Sequence, residues 1–503
     1  VGIEVLLDIA ADAAGERVAL GSRADGITFQ RWRELAQGGA GVLHASGARH
    51  VAFVGVNGLA FNVAVFAAGL AGLAITPLNY RLADDQLASL IAELDEPVLL
   101  VDPEFLGRVQ GERVISTPDF LEQAAKGDPV DPGHLDDEVP AVVLFTSGTT
   151  SKPKGVVLRH GHLTAYVLQT VEMLAAEEDD CALVAVPPYH VAGVATVLSN
   201  AYAGRRVVHA PSFTPAGWLE LVRRERVSSA MVVPTMLARV VEHLDGRPGE
   251  VPSLVSLAYG GARVSPTVLE KALAAFPSTG FVNAYGLTET SSTIAVLGPD
   301  DHRLAVTSHE PAVRARLASA GLPVPGIEVQ VRAEDGTVLG ADEVGEMFVR
   351  GDQVSGEYVG QGSSLDAQGW FPTRDRGWID AQGYLFIEGR GDDTIIRGGE
   401  NIAPAEIEDV LTRFPGVSDA AVVGLPDEEW GQRIAAVVVA GDAGLDVAAL
   451  QDFTRAALRG SKTPERIEVW PALPYTPTGK LLRREVVAHL TAGTIHHPEP
   501  EES

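Results

Sequence analysis

One cysteine, Cys181, stands in 503 residues, so no disulfide can close within the chain and a reducing compartment fits. No apolar stretch reaches membrane-spanning length, and the N-terminus lacks a basic-then-apolar signal pattern; the expectation is a soluble, cytoplasmic protein. Positive charge is scarce. Against 67 Asp and Glu there are 39 Lys and Arg, giving a formal charge of −28 and a pI near 4.8. That balance argues against nucleic acid or an anionic membrane surface as a partner. An anionic substrate would need local positive charge to offset this field. Lysine is scarcer still: only Lys126, Lys152, Lys154, Lys271, Lys462 and Lys480 occur.

What is present is globular composition, 46% hydrophobic and 21% charged, over a length that requires two or more domains. In residues 1–140, short buried-type strands (51–56, 97–101) alternate with helical stretches such as the Ala/Gly-rich 59–73. Residues 74–82, with Pro77, Asn79 and Arg81, read as a strand-to-turn corner at least as well as a functional motif. Such alternation marks an α/β layered fold. It resumes with strands at 182–186, 206–209, 230–233, 255–259 and 281–284, separated by helices such as 215–224 and 265–276. From 328 to 350 it gives way to short β pieces with Gly and Asp-Gly turns, a barrel-like or meander subdomain. A boundary is expected at residues 391–393, after a large N-terminal domain of residues 1–390. A compact α+β unit follows at 394–490, and a tail at 491–503 is expected to be disordered.

Two of the six lysines fall in one stretch. Ala141 to Phe145 reads as a buried strand. It breaks into Thr146, Ser147, Gly148, Thr149, Thr150 and Ser151, then Lys152, Pro153, Lys154 and Gly155. Small hydroxyl residues around glycine let backbone N–H groups turn inward as an anion-binding nest, and the hydroxyls and lysines suit phosphate oxygens. A flexible polar loop is the plainer alternative. The spacing is not that of a Walker A loop.

Four further segments carry candidate chemistry. Pro187-Pro188-Tyr189-His190-Val191-Ala192-Gly193 follows a strand and places one histidine beside small residues. Tyr259-Gly260-Gly261-Ala262 ends another strand, where glycines permit close approach of a flat ligand or simply a tight turn. In Asn283-Ala284-Tyr285-Gly286-Leu287-Thr288-Glu289 an aromatic ring, a hydroxyl and a carboxylate suit a base, a phosphate and a metal. A strand end followed by a capped helix would account for Thr288 and Glu289 as well. Pro477-Thr478-Gly479-Lys480 is a turn that presents one lysine.

Taken together and in this order, these segments resemble the signatures of the adenylate-forming (AMP-binding) superfamily, of the acyl-CoA synthetase type. Trp370-Phe371-Pro372-Thr373-Arg374-Asp375 resembles its Thr-Gly-Asp segment, and Arg397-Gly398-Gly399-Glu400 its small-domain loop. Three positions depart from the family pattern: Ser151 and Arg374 replace glycines, and Gln432 stands where glutamate is commoner.

The resemblance implies an α/β N-terminal domain with a mobile α+β C-terminal lid, and ATP, Mg2+ and CoA as cofactor and co-substrates. It implies that Thr146, Ser147, Gly148, Thr149, Thr150 and Lys154 hold phosphates, and that Gly261, Ala262, Tyr285 and Gly286 flank the nucleotide. Asp375 and Arg390 would hold the ribose, with Thr288 on the α-phosphate and Glu289 on the metal. His190, Val191, Ala192, Gly193, Gly260 and Ala284 would line the acyl site, with Gly193 and Ala192 leaving room for the chain. Asp392 would be the hinge, Arg397, Gly398, Gly399 and Glu400 the thioester side, and Lys480 the catalytic lysine. The expected substrate is a neutral-tailed acid, medium-chain aliphatic or aromatic. Alternatives are an o-succinylbenzoate-type CoA ligase, a carrier-protein ligase, an oxidised adenylate as in luciferases, or a catalytically weak nucleotide or acyl sensor. An aminoacyl adenylation domain is disfavoured, because no pocket aspartate stands near Ala192 or Ala262.

Overall fold

The structure, a computed structural model, describes all residues except 130–135, 147–152, 211, 398–399, 428–429, 442–444, 459, 477–478 and 493–503. Its N-terminal part is built on two large sheets. The first has eight strands, and in it His50–Val54 runs parallel to both Ala74–Pro77 and Pro97–Val101. These strands are continuous Val, Ile, Leu, Ala and Phe runs, as expected where both faces of a sheet are covered. The second has nine strands; Cys181–Val184, Ser229–Val232, Ser256–Gly260 and Gly280–Leu287 run parallel in it.

Between the sheets lie the helices Glu4–Ala14, Phe29–Ala45, Leu59–Leu70 and Val191–Ala203. Leu59–Leu70 is apolar all round and nearly every residue of it is buried, which is what a helix sandwiched between two sheets requires. It stops at Leu70, three residues earlier than its apolar run, because Gly72 takes a left-handed turn at φ +68°. One core cluster spans both sheets through Trp32, Phe29, Phe53, Phe66 and Val207, so the two layers form a single body.

The β-rich stretch is an open meander. Glu328–Arg332, Gly345–Arg350, Phe371–Ile379 and Leu385–Arg390 pair in sequence order, and no pairing joins the outer two. The smaller C-terminal part follows. In it Val417–Asp427, Gly431–Ala440 and Arg466–Trp470 form a three-stranded sheet covered by Pro404–Leu411, Val447–Ala457 and Arg483–Ala492. The last helix ends at Ala492, and the tail expected to be disordered lies, from residue 493 on, outside the described residues.

Candidate active site

The glycine-rich segment links two paired strands. Pro140–Thr146 runs antiparallel to Lys154–Arg159, a strand that the sequence did not suggest, and Thr146 faces Lys154 across the pair. Ser147, Gly148, Thr149, Thr150, Ser151 and Lys152 lie outside the described residues. The facing strand ends are held: the Thr146 hydroxyl donates to the Lys154 carbonyl (3.3 Å), and the Lys154 ammonium sits 5.5 Å from the centre of the Tyr358 ring.

Tyr285, Gly286 and Leu287 continue the strand Gly280–Leu287 rather than following its end, and Thr288–Thr290 is a single 3-10 turn. That turn is clasped from the other sheet. Ser355 and Gly356 N–H groups donate to the Glu289 carbonyl, and the Tyr358 hydroxyl donates to Glu289 Oε1 at 2.8 Å. Burial and the Glu289 carboxylate push the Tyr358 phenol up, so it stays protonated and donates.

Asp375 is buried and bracketed. The Tyr285 hydroxyl donates to Asp375 Oδ2 at 2.6 Å, and Arg390 Nε pairs with Oδ1 at 3.0 Å while its Nη1 donates to the Thr373 carbonyl. Burial raises the Asp375 pKa, and Arg390, Tyr285 and Lys480 work against that rise. The result is an oriented carboxylate with hydrogen-bond capacity to spare.

Asp375 lies on a bulge. Pro372 pairs with Phe348 and Arg376 with Glu346, so Met347 alone faces Thr373, Arg374 and Asp375. The Thr373 hydroxyl pins it, donating to the Met347 carbonyl and accepting from the Asp375 N–H. Arg374, in the middle, takes φ +62°. That explains why glycine is usual here: a side chain in the left-handed region costs about 1 kcal/mol or more.

Lys480 arrives from the C-terminal part. Its N–H bonds Thr476 Oγ1, and the turn seats against the helix Pro234–Leu244, where a Cβ at Gly479 would fall 2.8 Å from Thr235 Oγ1. Partial desolvation and the Arg390 charge lower the Lys480 pKa, while Asp393, Asp375 and Glu289 oppose them. Leu287, Glu289, Tyr358, Arg374 and Arg390 line one cleft, and the Lys480 charge acts on Arg390, Asp375 and Glu289.

Other expected residues divide. Gly261 is exposed, at φ +85°, with open space where a Cβ would be, as an approaching ligand needs. Gly260 instead admits the Ala284 carbonyl of the next strand, where a Cβ would fall at 2.2 Å; its missing side chain serves sheet pairing. Gly193 does not leave room for an acyl chain: its Cβ position is taken by the Pro187 carbonyl and Pro188. Val191, Ala192, Ala262 and Ala284 are half-buried. His190 is neutral, its pKa lowered to about 4 by burial, and its Nε2 has no protein partner among the described residues. Arg397 pairs with Glu465 and lies over Trp430, both within the C-terminal part, and Glu400 pairs with it across a two-stranded ribbon. Gly398, Gly399, Pro477, Thr478 and the side chain of Asp392 lie outside the described residues.

The sequence did not single out Tyr358 or the Arg263–Asp409 ion pair that joins the two parts at 2.5 Å, and it offered Thr373 only as part of the Thr-Arg-Asp segment. Tyr358 had one signal, an aromatic two residues after Gly356 in the β-rich stretch. The ion pair had none, since its two residues meet only across the fold.

An α/β body with a second, smaller part and a buried carboxylate held by Tyr285 and Arg390 is the frame in which the comparisons with known proteins stand. The AMP-binding enzyme family matches residues 7–359, and the AMP-binding enzyme C-terminal domain matches residues 406–480. A feruloyl-CoA synthase from Amycolatopsis sp. is 34% identical over 88% of this chain and 90% of its own. A fatty acid–[acyl-carrier-protein] ligase from Streptomyces coeruleorubidus is 32% identical over 87% and 86%. The o-succinylbenzoate CoA synthetase from Bacillus subtilis, solved with its acyl-adenylate, superposes with TM-score 0.83 at 29% identity, covering 96% of this chain and 97% of that one. The chain belongs to the AMP-binding enzyme family and is an acid–thiol ligase.

Proposed function

We propose that this enzyme makes an acyl-CoA or aryl-CoA from a carboxylic acid, ATP and CoA by way of an acyl-adenylate. The observation that carries the reading is the Asp375 carboxylate held by Tyr285 and Arg390, with the Lys480 charge near enough to act on Arg390, Asp375 and Glu289. In the first half-reaction a substrate carboxylate oxygen attacks the α-phosphorus. An O–P bond forms, the bond to the β-phosphate oxygen breaks, and pyrophosphate leaves with the electron pair. In the second, the CoA sulfur attacks the acyl carbonyl, a C–S bond replaces the C–O bond to AMP, and the thiol proton is released.

In this reading Asp375 accepts hydrogen bonds from the ribose, held in place by Tyr285 and Arg390, and Tyr285 with Gly286, Gly261 and Ala262 flanks the nucleotide. Thr288 meets the α-phosphate. Lys480 places a point charge where negative charge builds between carboxylate and α-phosphate. Thr146 and Lys154 flank the phosphate segment. Among the described residues, no group of three or more His, Cys, Asp or Glu could hold a metal alone. A single carboxylate, Glu289, at a phosphate cleft is the donor set that suits Mg2+, which binds through one or two carboxylates plus phosphate oxygens. When bound it would neutralise phosphate charge.

The lid of residues 394–490 turns about the hinge at 391–393. The arrangement here, with Lys480 in the cleft, suits adenylation; Arg397 to Glu400 would enter for the thioester step.

For the acid, a neutral His190 whose buried Nε2 has no partner among the described residues, together with the small apolar Val191, Ala192 and Ala284, suits an uncharged tail, aromatic or medium-chain aliphatic. The feruloyl-CoA synthase and the o-succinylbenzoate synthetase act on ring-bearing acids, which favours the aromatic branch. The test is pyrophosphate release with Mg-ATP across a panel of acids, with and without CoA. Release that depends on a neutral aromatic or medium-chain acid and yields its CoA thioester is the expected result. High activity on a short dicarboxylate would overturn the acid assignment, and preference for o-succinylbenzoate would select that ligase. Thioester on a carrier protein but not on CoA would move the acceptor.

A further inference from the structure

Arg374 occupies a place where its backbone conformation favours glycine and where the family's Thr-Gly-Asp pattern has glycine. Four facts about it converge. Its φ of +62° is forced by the Thr373-pinned bulge. Its side chain is exposed and lines the cleft with Glu289, Tyr358 and Arg390. Among the described residues no carboxylate pairs with it, in a chain with 67 acidic residues. Its charge reaches the Tyr358 hydroxyl, which bonds Glu289. Strained, unpaired cations of this kind gather at functional clefts, where the ligand supplies the missing partner.

Its neighbours decide which part of a nucleotide it faces. Asp375 turns inward, to Tyr285 and Arg390. Arg374 shares the cleft with Tyr358 instead, whose ring lies under the Lys154 ammonium where the glycine-rich segment ends. That is the phosphate end.

We propose that Arg374 binds the β- and γ-phosphates of ATP, and therefore also pyrophosphate, as a cation added to the cleft by this chain's departure from glycine. The planar guanidinium suits two phosphate oxygens at once. The inference rests on the nucleotide reading above, and it separates ATP from AMP, which lacks these phosphates.

Calorimetric titration of the whole enzyme with α,β-methylene-ATP, pyrophosphate and AMP tests it, using Arg374→Gly and Arg374→Lys. Arg374→Gly is expected to weaken α,β-methylene-ATP and pyrophosphate roughly tenfold, the scale of a lost charged hydrogen bond. AMP binding should stay within about twofold, and the melting temperature should rise as the left-handed residue becomes glycine. Arg374→Lys should fall between. Unchanged α,β-methylene-ATP and pyrophosphate affinities in Arg374→Gly would overturn the inference. An equal loss for AMP would overturn it too, by showing that the residue only shapes the Asp375 bulge. If the wild-type enzyme binds none of the three, the nucleotide reading itself falls. If it binds all three and Arg374→Gly changes nothing, only the inference does.

Discussion

The Tyr358 hydroxyl donates a 2.8 Å hydrogen bond to the Glu289 carboxylate, joining two residues that lie 69 positions apart in the chain. The same ring carries the Lys154 ammonium on its face. One tyrosine therefore ties Lys154 to Glu289, the carboxylate proposed to meet the metal. Tyr358→Phe removes the hydroxyl and keeps the ring. A hydrogen bond to a charged group is worth about 1.5–3 kcal/mol when buried, and less in this half-buried cleft. The expected outcome is a several-fold loss in kcat/KM for ATP and a raised Mg2+ requirement, read from Mg2+ activation curves. An unchanged curve would separate Tyr358 from the metal.

Arg263 and Asp409 form an ion pair from the Gly260-Gly261-Ala262 segment to the lid helix Pro404–Leu411. A partly exposed pair of this kind contributes about 0–1 kcal/mol. Arg263→Ala should slow adenylate formation two- to fivefold, a range set by that energy, and leave thioester formation from supplied acyl-adenylate intact. Single-turnover measurement of each half checks this. Equal slowing of both would show that the pair does not favour one lid position.

Lys480→Ala removes the charge proposed above to stabilise the reacting phosphate. Loss of such a group costs roughly 10²–10³ in rate. The loss should appear in pyrophosphate release, and thioester formation from acyl-adenylate should be nearly unaffected. A protein that acted only as a nucleotide sensor would show no difference in turnover between the two proteins.

Four histidines, His50, His160, His190 and His209, are held neutral by burial, with pKa values lowered to about 4. In the unfolded chain each would protonate near pH 6.5, so between pH 6.5 and 4 the unfolded state binds more protons. Stability is therefore lost as pH falls through this window, by on the order of 1–3 kcal/mol per residue. Buried Glu408, Asp409 and Asp419 have raised pKa values and act in the opposite sense. Their shifts are each offset by a bonded partner (Arg483, Arg263 and Tyr475), so the histidines should dominate. His160 Nδ1 accepts from the Ile3 N–H, and asparagine keeps an acceptor there. Thermal melts of His160→Asn from pH 7 to 4 should show a shallower acid loss than the wild type. An equal slope would remove His160 from the account.

Much of this protein is legible locally. The strand at Pro97–Val101, the helix Pro215–Glu225 and the strand Arg206–His209 fall where apolar runs and turn residues put them, because both signals are written within a few neighbours. The strand Lys154–Arg159 was not legible, since its pattern acquires meaning only beside Pro140–Thr146. The glycines show the same division: Gly260, Gly261 and Gly193 look alike in sequence, yet two make way for neighbouring backbone and one faces open space.

The sequence by itself determined the α/β layering, the two-part division and the inventory of hydroxyls, carboxylates, arginines and one lysine for the site. Only the tertiary structure decided which of them meet. Tyr285 finds Asp375 across 90 residues, and Lys480 reaches the cleft only because the C-terminal part docks on the helix that carries Thr235. The strain at Arg374 comes from a bulge set by the partner strand. Periodicity and turn chemistry act over a few residues of chain. The direction in which a side chain points is fixed by register, bulges and packing between segments that are distant in sequence, and no short stretch encodes those.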